Sequence, residues 1–411
     1  MLKTYEFKLQ PTKCQKQRLI DMLDAARYVY NWGLEDRVNM YRYAKYSTSF
    51  YDQSKYLKEL RKEKPWLEDV HVHVLQGSLK RLDLAFKAFF RRLKNGEKPG
   101  FPRFKGQYFF NSFSFKEYGN GFGLQGKRLS LSKIGRIRIN LHREIIGEIK
   151  TCIVKRKADG WYAFLGVEVP EPKPSQLDNP VGLDLGLNSF AVLSDGEKIK
   201  NPRLLKKALD EVKHEQRLLD NKERASKRRA KQREKLARKH LKVERHRRDF
   251  HFKLANMLVE NFNPIVVEDL DIMGLIRKAV EDKKNGKKVC AKSENILDAG
   301  WGLFLQRLGS KAANAGSAIK AVEPRGTSQE CCRCGKIVRK GLDERVYDCP
   351  FCGLVIHRDI NAAINILKRW LMVAGRIEEA ERLGKEMGRA APSGMVPGRE
   401  LVQANREAAP L

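Results

Sequence analysis

Three acidic residues stand at places in the sequence where an isolated charge would be costly. Asp184 interrupts the apolar run Val181–Leu185. Glu268 ends the run Ile265–Val267, and Asp359 precedes the last apolar helical pattern. A carboxylate in or beside a buried strand destabilises the fold unless it is paired or binds a cation. Carboxylate oxygens are the ligands that Mg²⁺ prefers, and two such ions about 3.5–4 Å apart can promote phosphodiester hydrolysis. The three acids therefore predict a two-Mg²⁺ nuclease site.

Each acid also has an ordinary structural interpretation. Asp184 can serve a turn or a cap, Glu268 can pair with a basic helix, and Asp359 can be the N-cap of the last helix. Asp269 and Asp271 compete with Glu268 as candidates. The order of the three acids around a cysteine-rich segment favours the metal-site interpretation.

The cysteine-rich segment contains two C-x₂-C pairs separated by fourteen residues: Cys331, Cys334, Cys349 and Cys352. Two such pairs place four thiolates tetrahedrally around one Zn²⁺, and the glycine after each pair lets the backbone turn. Four thiolates leave no open position for water, so the predicted zinc is structural. His357 is an alternative ligand. The other cysteines are interpreted as bystanders (Cys14, Cys152, Cys290 and Cys332).

The first half of the chain contains the patterns of a β domain and of a helical domain. Residues 3–9 alternate as a strand does, with Tyr5 and Phe7 on one face. Helical spacing follows from residue 13 and again over 74–94, and short strand patterns fill 98–170 up to a proline cluster. These patterns predict a β domain, residues 1–12 and 96–174, interrupted by a helical domain, residues 13–95.

The second half alternates apolar strands with helices and carries the three acids. Strands are predicted at 181–186, 190–194, 264–270 and 318–322, with a polar loop at 281–293 and helices at 297–315 and 360–373. A long helical stretch over 203–249 is strongly basic, and residues 201–250 hold 19 Lys and Arg against 8 Asp and Glu. A coiled coil is the alternative there, but its heptad seam does not continue through Ser226–Lys235. The tail, residues 376–411, is predicted to be disordered.

The composition indicates a polyanionic partner. The chain of 411 residues has 82 Lys and Arg against 50 Asp and Glu, a formal net charge of +32. Nucleic acid is the polyanion that such an excess fits, although a solubility charge or a ribosomal-type binder has the same composition. No run of about 18 apolar residues predicts a membrane span, and the N-terminus lacks a signal-peptide pattern. We therefore expect a cytoplasmic protein with reduced thiols.

Taken in order, these motifs resemble the TnpB family of insertion-sequence nucleases, which is regarded as ancestral to the compact type V CRISPR effectors. The resemblance extends over nearly the whole chain. It rests on six segments: Gly182–Gly186, Val267–Leu270, Asp298–Trp301, Thr327–Cys331, Asp348–Gly353 and Arg358–Ala363. Less specific matches are Leu9–Pro11, Tyr28–Asn31, Gly100–Phe104 and Arg247–Phe250.

The resemblance implies a multidomain α/β protein with defined functional residues. It implies a RuvC (RNase H-like) nuclease domain at 175–325 and 354–375, a zinc-ribbon insertion at 326–353, and a wedge-like β-barrel with a helical recognition domain. Its catalytic acids would be Asp184, Glu268 and Asp359, binding two Mg²⁺, and the four paired cysteines would bind one Zn²⁺. Nucleic-acid contacts would come from five residues: Tyr51, Gln76, Lys80, Arg247 and Arg248.

The resemblance also implies partners. A guide RNA derived from the transposon end would direct a monomeric protein to double-stranded DNA, where side chains read a short target-adjacent motif before cleavage. One alternative is a guide-dependent repressor that binds DNA without cutting, although all three acids are present. Others are a compact type V CRISPR effector and a guide-independent resolvase or transposase accessory.

Overall fold

The computed structural model describes residues 1–275, 298–339, 341 and 344–386, apart from the side chains of 204–207 and 209. Internal contacts divide the chain into two units, Met1–Pro170 and Glu171–Leu411. The first unit thus ends at residue 170, four residues before the predicted boundary. The predicted polar loop at 281–293 lies outside the described residues.

An eight-stranded sheet forms the larger part of the first unit. Its strands are β1 (Leu2–Gln10), β2 (Ser112–Phe115), β3 (Glu117–Tyr118), β4 (Gly121–Gln125), β5 (Arg128–Leu131), β6 (Gly135–Asn140), β7 (Glu148–Lys157) and β8 (Gly160–Glu168). They lie in the order β2-β7-β8-β1-β6-β5-β4-β3, and only β3 and β4 pair in parallel. Strand β3 at one edge also contacts β7 near the other edge, so the sheet curls on itself.

Three α-helices and one 3-10 turn connect β1 to β2: α1 (Lys13–Ala44), α2 (Phe50–Glu63), the turn Pro65–Leu67 and α3 (Val72–Lys94). Helix α1 begins as predicted, since Thr12 and Gln15 form a capping box that satisfies the first backbone N–H groups. In α3 the first turns bury Leu75 and Leu79 in the same core as Phe7 of β1, whereas Leu93 near the end is exposed. The apolar residues of α3 therefore pack from its first turns as far as Phe86, which is partly buried against the same core.

The second unit is built around a five-stranded mixed sheet. Its strands are β9 (Val181–Leu185), β10 (Ser189–Leu193), β11 (Lys198–Lys200), β12 (Ile265–Glu268) and β13 (Ile319–Val322). The order is β11-β10-β9-β12-β13, with β11, β10 and β9 antiparallel and β9, β12 and β13 parallel. A separate hairpin joins β14 (Val346–Asp348) to β15 (Val355–His357).

Five helices of this unit have both ends within the described residues: α4 (Leu204–Asp220), α5 (Lys227–Asn261), α6 (Trp301–Ala315), α7 (Arg358–Val373) and α8 (Ile377–Glu386). The prediction of one continuous helix over 203–249 is wrong, because the chain reverses between α4 and α5. The guanidinium of Arg229 closes the turn by donating to the carbonyl oxygens of Leu219 and Lys222 at 2.7 and 2.6 Å. None of the described helices combines the length and apolar character that a bilayer crossing requires.

Helix α8 corrects the prediction that the chain is disordered from residue 376. Ala380 is fully buried and packs in one cluster with Trp370 and Leu371 of α7. The few apolar residues of α8 lie among many charges, so their composition hides the one face that packs. Residues 387–411 lie outside the described residues.

Candidate metal centres

Two of the predicted acids lie at the ends of adjacent parallel strands. Val267 of β12 pairs with Leu183 of β9, and Glu268 and Asp184 are the next residues along each strand. Neighbouring strands are about 4.8 Å apart, so both carboxyl groups lie at one edge of the sheet. The side chains of both acids are partly buried. The parallel register is therefore what brings together two residues that are 84 positions apart in sequence.

The third acid is positioned by the close packing of α7 on β9. A Cβ atom on Gly182 would lie 2.1 Å from the carbonyl oxygen of Ala363, so only glycine permits this contact. Asp184 lies about 7 Å beyond Gly182 along the strand, and Asp359 lies about 6 Å before Ala363 along the helix. These offsets match, so a helix running opposite to the strand places both acids at the same end of the sheet.

Helix α7 begins at Arg358, two residues before the predicted start at 360. His357 is its N-cap, and its Nδ1 accepts a hydrogen bond from the backbone N–H of Asp359 at 3.3 Å. Asp359 is therefore inside the first helical turn, and its interpretation as the N-cap is wrong. Negative charge in that turn interacts favourably with the helix dipole.

The other two acids affect the ionisation of Asp184. Burial raises the pKa of Asp184 to about 8, and the negative charges of Glu268 and Asp359 contribute to the rise. The positive charge of Arg358 opposes it. Asp184 thus lies close enough to both other acids to feel their charges, and a cation bound among the three can replace its proton.

The spacing of these acids is wider than a cage for one ion. Among the described residues, only the four paired cysteines have ligand atoms that all lie within 4.8 Å of one another. Two divalent ions about 3.5–4 Å apart need ligands spread over a longer distance. Carboxylate oxygens are suitable ligands for divalent ions, so the three acids could bind such a pair.

The four cysteines of the two C-x₂-C pairs meet at one point. The Sγ atoms of Cys331 and Cys352 are 3.6 Å apart, as are those of Cys334 and Cys349. Tetrahedral zinc with Zn–S bonds of about 2.3 Å requires sulfur atoms at about this separation. His357 is not part of this cluster. The donor set and its geometry therefore fit one structural Zn²⁺.

The thiol of Cys332 is outside the ligand set, as expected, but the backbone of this residue makes two hydrogen bonds. Its backbone N–H donates to Oδ1 of Asn361 at 2.9 Å, and its carbonyl oxygen accepts from Nζ of Lys368 at 2.7 Å. Both partners belong to α7. The residue therefore anchors the first cysteine pair to the helix that carries Asp359.

Residues that the sequence analysis did not assign surround the acids. Thr327 is buried, and its hydroxyl donates to Oε1 of Glu268. A guanidinium nitrogen of Arg345 lies 3.9 Å from Oδ1 of Asp359. Thr327 lies four positions before the first cysteine pair and begins one of the segments that carry the family resemblance, but no role was predicted for it.

Three of the predicted nucleic-acid residues lie around one ring in the first unit. The amino group of Lys80 is 5.1 Å from the centroid of Phe50, and the ring of Tyr51 packs edge-on against it at 5.5 Å. Gln76 accepts a hydrogen bond from Lys116, whose amino group is also above Phe50. Tyr51 is 75% exposed. The group combines an exposed aromatic ring with two cations.

The other two predicted nucleic-acid residues, Arg247 and Arg248, lie on α5. The guanidinium of Arg247 pairs with Asp298 at 3.2 Å, and both side chains are largely buried. Arg248 lies close enough to Arg307 to lower the pKa of that guanidinium, after the larger effect of burial. The pair with Asp298 gives Arg247 a structural role between α5 and the start of α6, so its contact with nucleic acid stays a prediction.

Three family models match parts of the chain. The OrfB_IS605 family, described as "Probable transposase", matches residues 164–279. A model described as "Cas12f1-like, TNB domain" matches 301–366, which includes the cysteine pairs and the start of α7. A model described as "Helix-turn-helix domain" matches 1–45, where this chain forms β1 and the single helix α1.

Two curated relatives match almost the full length. "Putative RNA-guided DNA endonuclease InsQ" of Escherichia coli K12 is 30% identical over 89% of this chain and 92% of its own. A "Putative RNA-guided DNA endonuclease" of Streptomyces pristinaespiralis is 31% identical over 89% and 88%. The chain belongs to the TnpB family. A mimivirus member, "TnpB-like protein L79", is 27% identical over 50% of this chain and 40% of its own.

A solved structure has the same fold as this TnpB-family chain. "Cryo-EM structure of the Cas12f1-sgRNA-target DNA complex" superimposes with a TM-score of 0.53 and 14% identity, covering 85% of this chain and 82% of the other. The similarity extends through the mixed α/β architecture.

Proposed function

We propose that this chain is an RNA-guided DNA endonuclease that makes double-strand breaks beside a short target-adjacent motif. The observation that carries the proposal is the cluster of Asp184, Glu268 and Asp359 at one sheet edge, in which each charge affects the proton on Asp184. Three converging carboxylates fit two Mg²⁺. The names of the full-length relatives agree with this activity.

The topology of the second unit supports a RuvC-type, RNase H-like nuclease domain. Three antiparallel strands are followed by two parallel ones in the order β11-β10-β9-β12-β13. The acids come from the first and fourth of these strands in chain order and from a later helix. The cysteine hairpin interrupts the unit as a zinc ribbon, and the curled sheet and α1–α3 would be the wedge and recognition domains.

In this mechanism each side chain has a defined task. Asp184, Glu268 and Asp359 would bind the two ions, which when bound activate water and stabilise the leaving oxygen of the phosphodiester. Asp184 would give up its proton when cations bind, because the bound positive charge would offset the burial and the neighbouring acids that raise its pKa. Burial raises the pKa of Glu268, and the hydroxyl of Thr327 and the nearby charge of Arg369 oppose that rise.

Target selection would use both nucleic acids. A transposon-end guide RNA would pair with one DNA strand, and the monomeric protein would read the adjacent motif through Tyr51, Gln76 and Lys80. The exposed ring and the two cations around Phe50 suit stacking and phosphate or base contacts. One nuclease centre would cut the two strands in sequence.

The test is plasmid cleavage by the protein purified with its RNA, in buffer with Mg²⁺. Glu268→Gln and Asp184→Asn should each lower the cleavage rate by at least about 100-fold, since loss of one ion ligand removes a few kcal/mol of transition-state stabilisation. Asp269→Asn is the matched control, because Asp269 follows Glu268 but is exposed, and it should cut at the wild-type rate.

Cleavage by Asp184→Asn at the wild-type rate would refute the nuclease assignment. A wild-type complex that binds the guided target but never cuts it would favour the repressor. Cutting without any co-purified RNA would favour the guide-independent resolvase.

A further inference from the structure

The segment that joins β13 to the first cysteine pair makes direct contact with the predicted nuclease site. Within it, Thr327 is 4% exposed, and its hydroxyl lies against both Oε1 of Glu268 and the carbonyl oxygen of Pro324, the latter at 3.2 Å. A hydroxyl has one proton to donate, and a carboxylate accepts it more strongly than a neutral carbonyl does. The hydroxyl of Thr327 therefore holds one oxygen of Glu268 in a fixed direction.

Two buried asparagines of α7 fix the segment itself. Nδ2 of Asn365 donates to the carbonyl oxygens of Thr327 and Glu330 at 2.8 and 2.7 Å. Asn361 donates to the same oxygen of Glu330 at 2.8 Å and accepts from the backbone of Cys332 at 2.9 Å. Asn361 and Asn365 are 0% and 3% exposed. Moving Thr327 would break its buried hydrogen bond from Asn365, which is costly to lose.

Helix α7 thus controls two acids at once. It carries Asp359 in its first turn, and through Asn365 it fixes the hydroxyl that orients Glu268. The two acids come from different elements, so without such a link their separation would depend on sheet–helix packing alone. A pair of metal ions requires ligands held to within about 0.5 Å.

We propose that Thr327 is a positioning residue that orients Glu268 for metal binding, and that Asn365 holds Thr327 in place. This rests on the proposed nuclease function for its catalytic consequence, but its effect on metal binding can be measured without cleavage. Residues that orient metal ligands typically change metal affinity by about 10–100-fold.

The experiment uses the full-length protein with its co-purified RNA and three variants. Thr327→Val removes the hydroxyl at nearly the same volume, and Thr327→Ser restores it. Thr48→Val is the matched control, since Thr48 is buried and its hydroxyl makes no hydrogen bond in the described part of the chain. Each variant is titrated with Mn²⁺, with free ion followed by electron paramagnetic resonance, and its cleavage rate is measured against Mg²⁺ concentration.

We expect Thr327→Val to weaken Mn²⁺ binding and to shift the Mg²⁺ dependence of cleavage upward by about 10–100-fold, with partial recovery at high Mg²⁺. Thr327→Ser and Thr48→Val should stay within about threefold of wild type. The double variant Thr327→Val with Glu268→Gln should bind Mn²⁺ no more weakly than Glu268→Gln alone. The reason is that Thr327 acts on the metal only through Glu268, so its loss has no further effect once Glu268 is changed.

Wild-type Mn²⁺ binding by Thr327→Val would overturn the proposal, as would an additive effect in the double variant. Zinc content and thermal midpoint show whether the Val variant keeps its fold. Should it not, Asn365→Ala releases Thr327 without touching Glu268, and unchanged Mn²⁺ affinity in that variant would also overturn the proposal. If the wild-type protein binds Mn²⁺ but never cuts DNA, the proposed function fails while the role of Thr327 in metal binding is still decided.

Discussion

At the scale of single residues, the chemistry of the second unit is concentrated in a carboxyl group that burial makes hard to ionise. Asp184 follows Leu183, which is fully buried, and lies near the negative charges of two other acids. Its pKa of about 8 compares with about 3.9 for an aspartate in an unfolded chain. The folded protein without divalent ions therefore holds a proton that the unfolded chain releases.

This difference predicts a pH dependence of stability. Between about pH 4 and pH 8 the folded state binds more protons than the unfolded state, so the free energy of unfolding falls as pH rises through that window. Asp184→Asn carries no such proton and should lose less stability. In Mg²⁺-free buffer, we expect the thermal midpoint of wild type to fall between pH 6 and pH 8.5 by several degrees more than that of Asp184→Asn. The size follows from about 2–4 °C per kcal/mol.

The same comparison in Mg²⁺ is the control. The ions should raise the midpoint of wild type at pH 8.5 and have little effect on Asp184→Asn, because cations bind the ionised carboxylate of Asp184 in the folded state. Chelators are avoided since they would also remove zinc. Parallel pH profiles for the two proteins would contradict the raised pKa.

At the scale of elements, helix α7 organises the second unit. It packs on β9 through Gly182, carries Asp359, and holds the segment before the cysteines through its asparagines. Its C-terminal half forms an apolar cluster with α8. A change in the distance between α7 and β9 should therefore disturb the acids and the fold together.

Gly182→Ala tests this packing. The added Cβ would lie 2.1 Å from the carbonyl oxygen of Ala363 and 3.0 Å from Cβ of Leu367, so the helix must move away from the strand. Overpacking of this kind costs about 1–3 kcal/mol, and we expect a thermal midpoint several degrees below wild type. Gly123→Ala is the control, because that strand glycine has no atom within 4 Å of an added Cβ. Equal midpoints for the two variants would argue against close packing at Gly182.

The cysteine hairpin gives a second prediction at this scale. We expect about one zinc ion per purified chain, with Cys349→Ser losing it and the hairpin losing its fold. Cys332→Ala should keep its zinc, because the Cys332 thiol is outside the ligand set and its anchoring bonds use the backbone. Metal analysis of the three proteins measures this. Loss of zinc from Cys332→Ala, or retention in Cys349→Ser, would contradict the assignment.

At the scale of the whole molecule, positive charge dominates. The chain has a formal net charge of +32, and basic residues crowd α5 in particular. Two ion pairs between residues of α5 are exposed to solvent and contribute little stability by themselves. A bound polyanion would relieve the repulsion among these charges.

We therefore expect nucleic-acid affinity to depend steeply on salt. If six to ten phosphates are neutralised, affinity should fall by about 10³–10⁵-fold between 50 and 200 mM salt. Filter binding or fluorescence anisotropy with the co-purified RNA measures the slope. A slope near zero would mean that the charge serves solubility and not binding.

Features with a local signature could be predicted from the sequence. The C-x₂-C spacing identifies the two zinc ligands of each cysteine pair. The alternation at Tyr5 and Phe7 identifies a strand, and Thr12 with Gln15 marks the start of α1. Such signals depend on residues within a few positions of one another. The local patterns also named the three acids, although their roles in catalysis stay a prediction.

Only the tertiary structure decided which distant residues touch. The hydroxyl of Thr327 reaches Glu268 across 59 positions, and Arg247 pairs with Asp298 across 51. The reversal between α4 and α5 and the packing of Ala380 were likewise invisible in composition. Contacts of this kind depend on how strands and helices pack in three dimensions, and the spacing of residues along one segment carries no information about them.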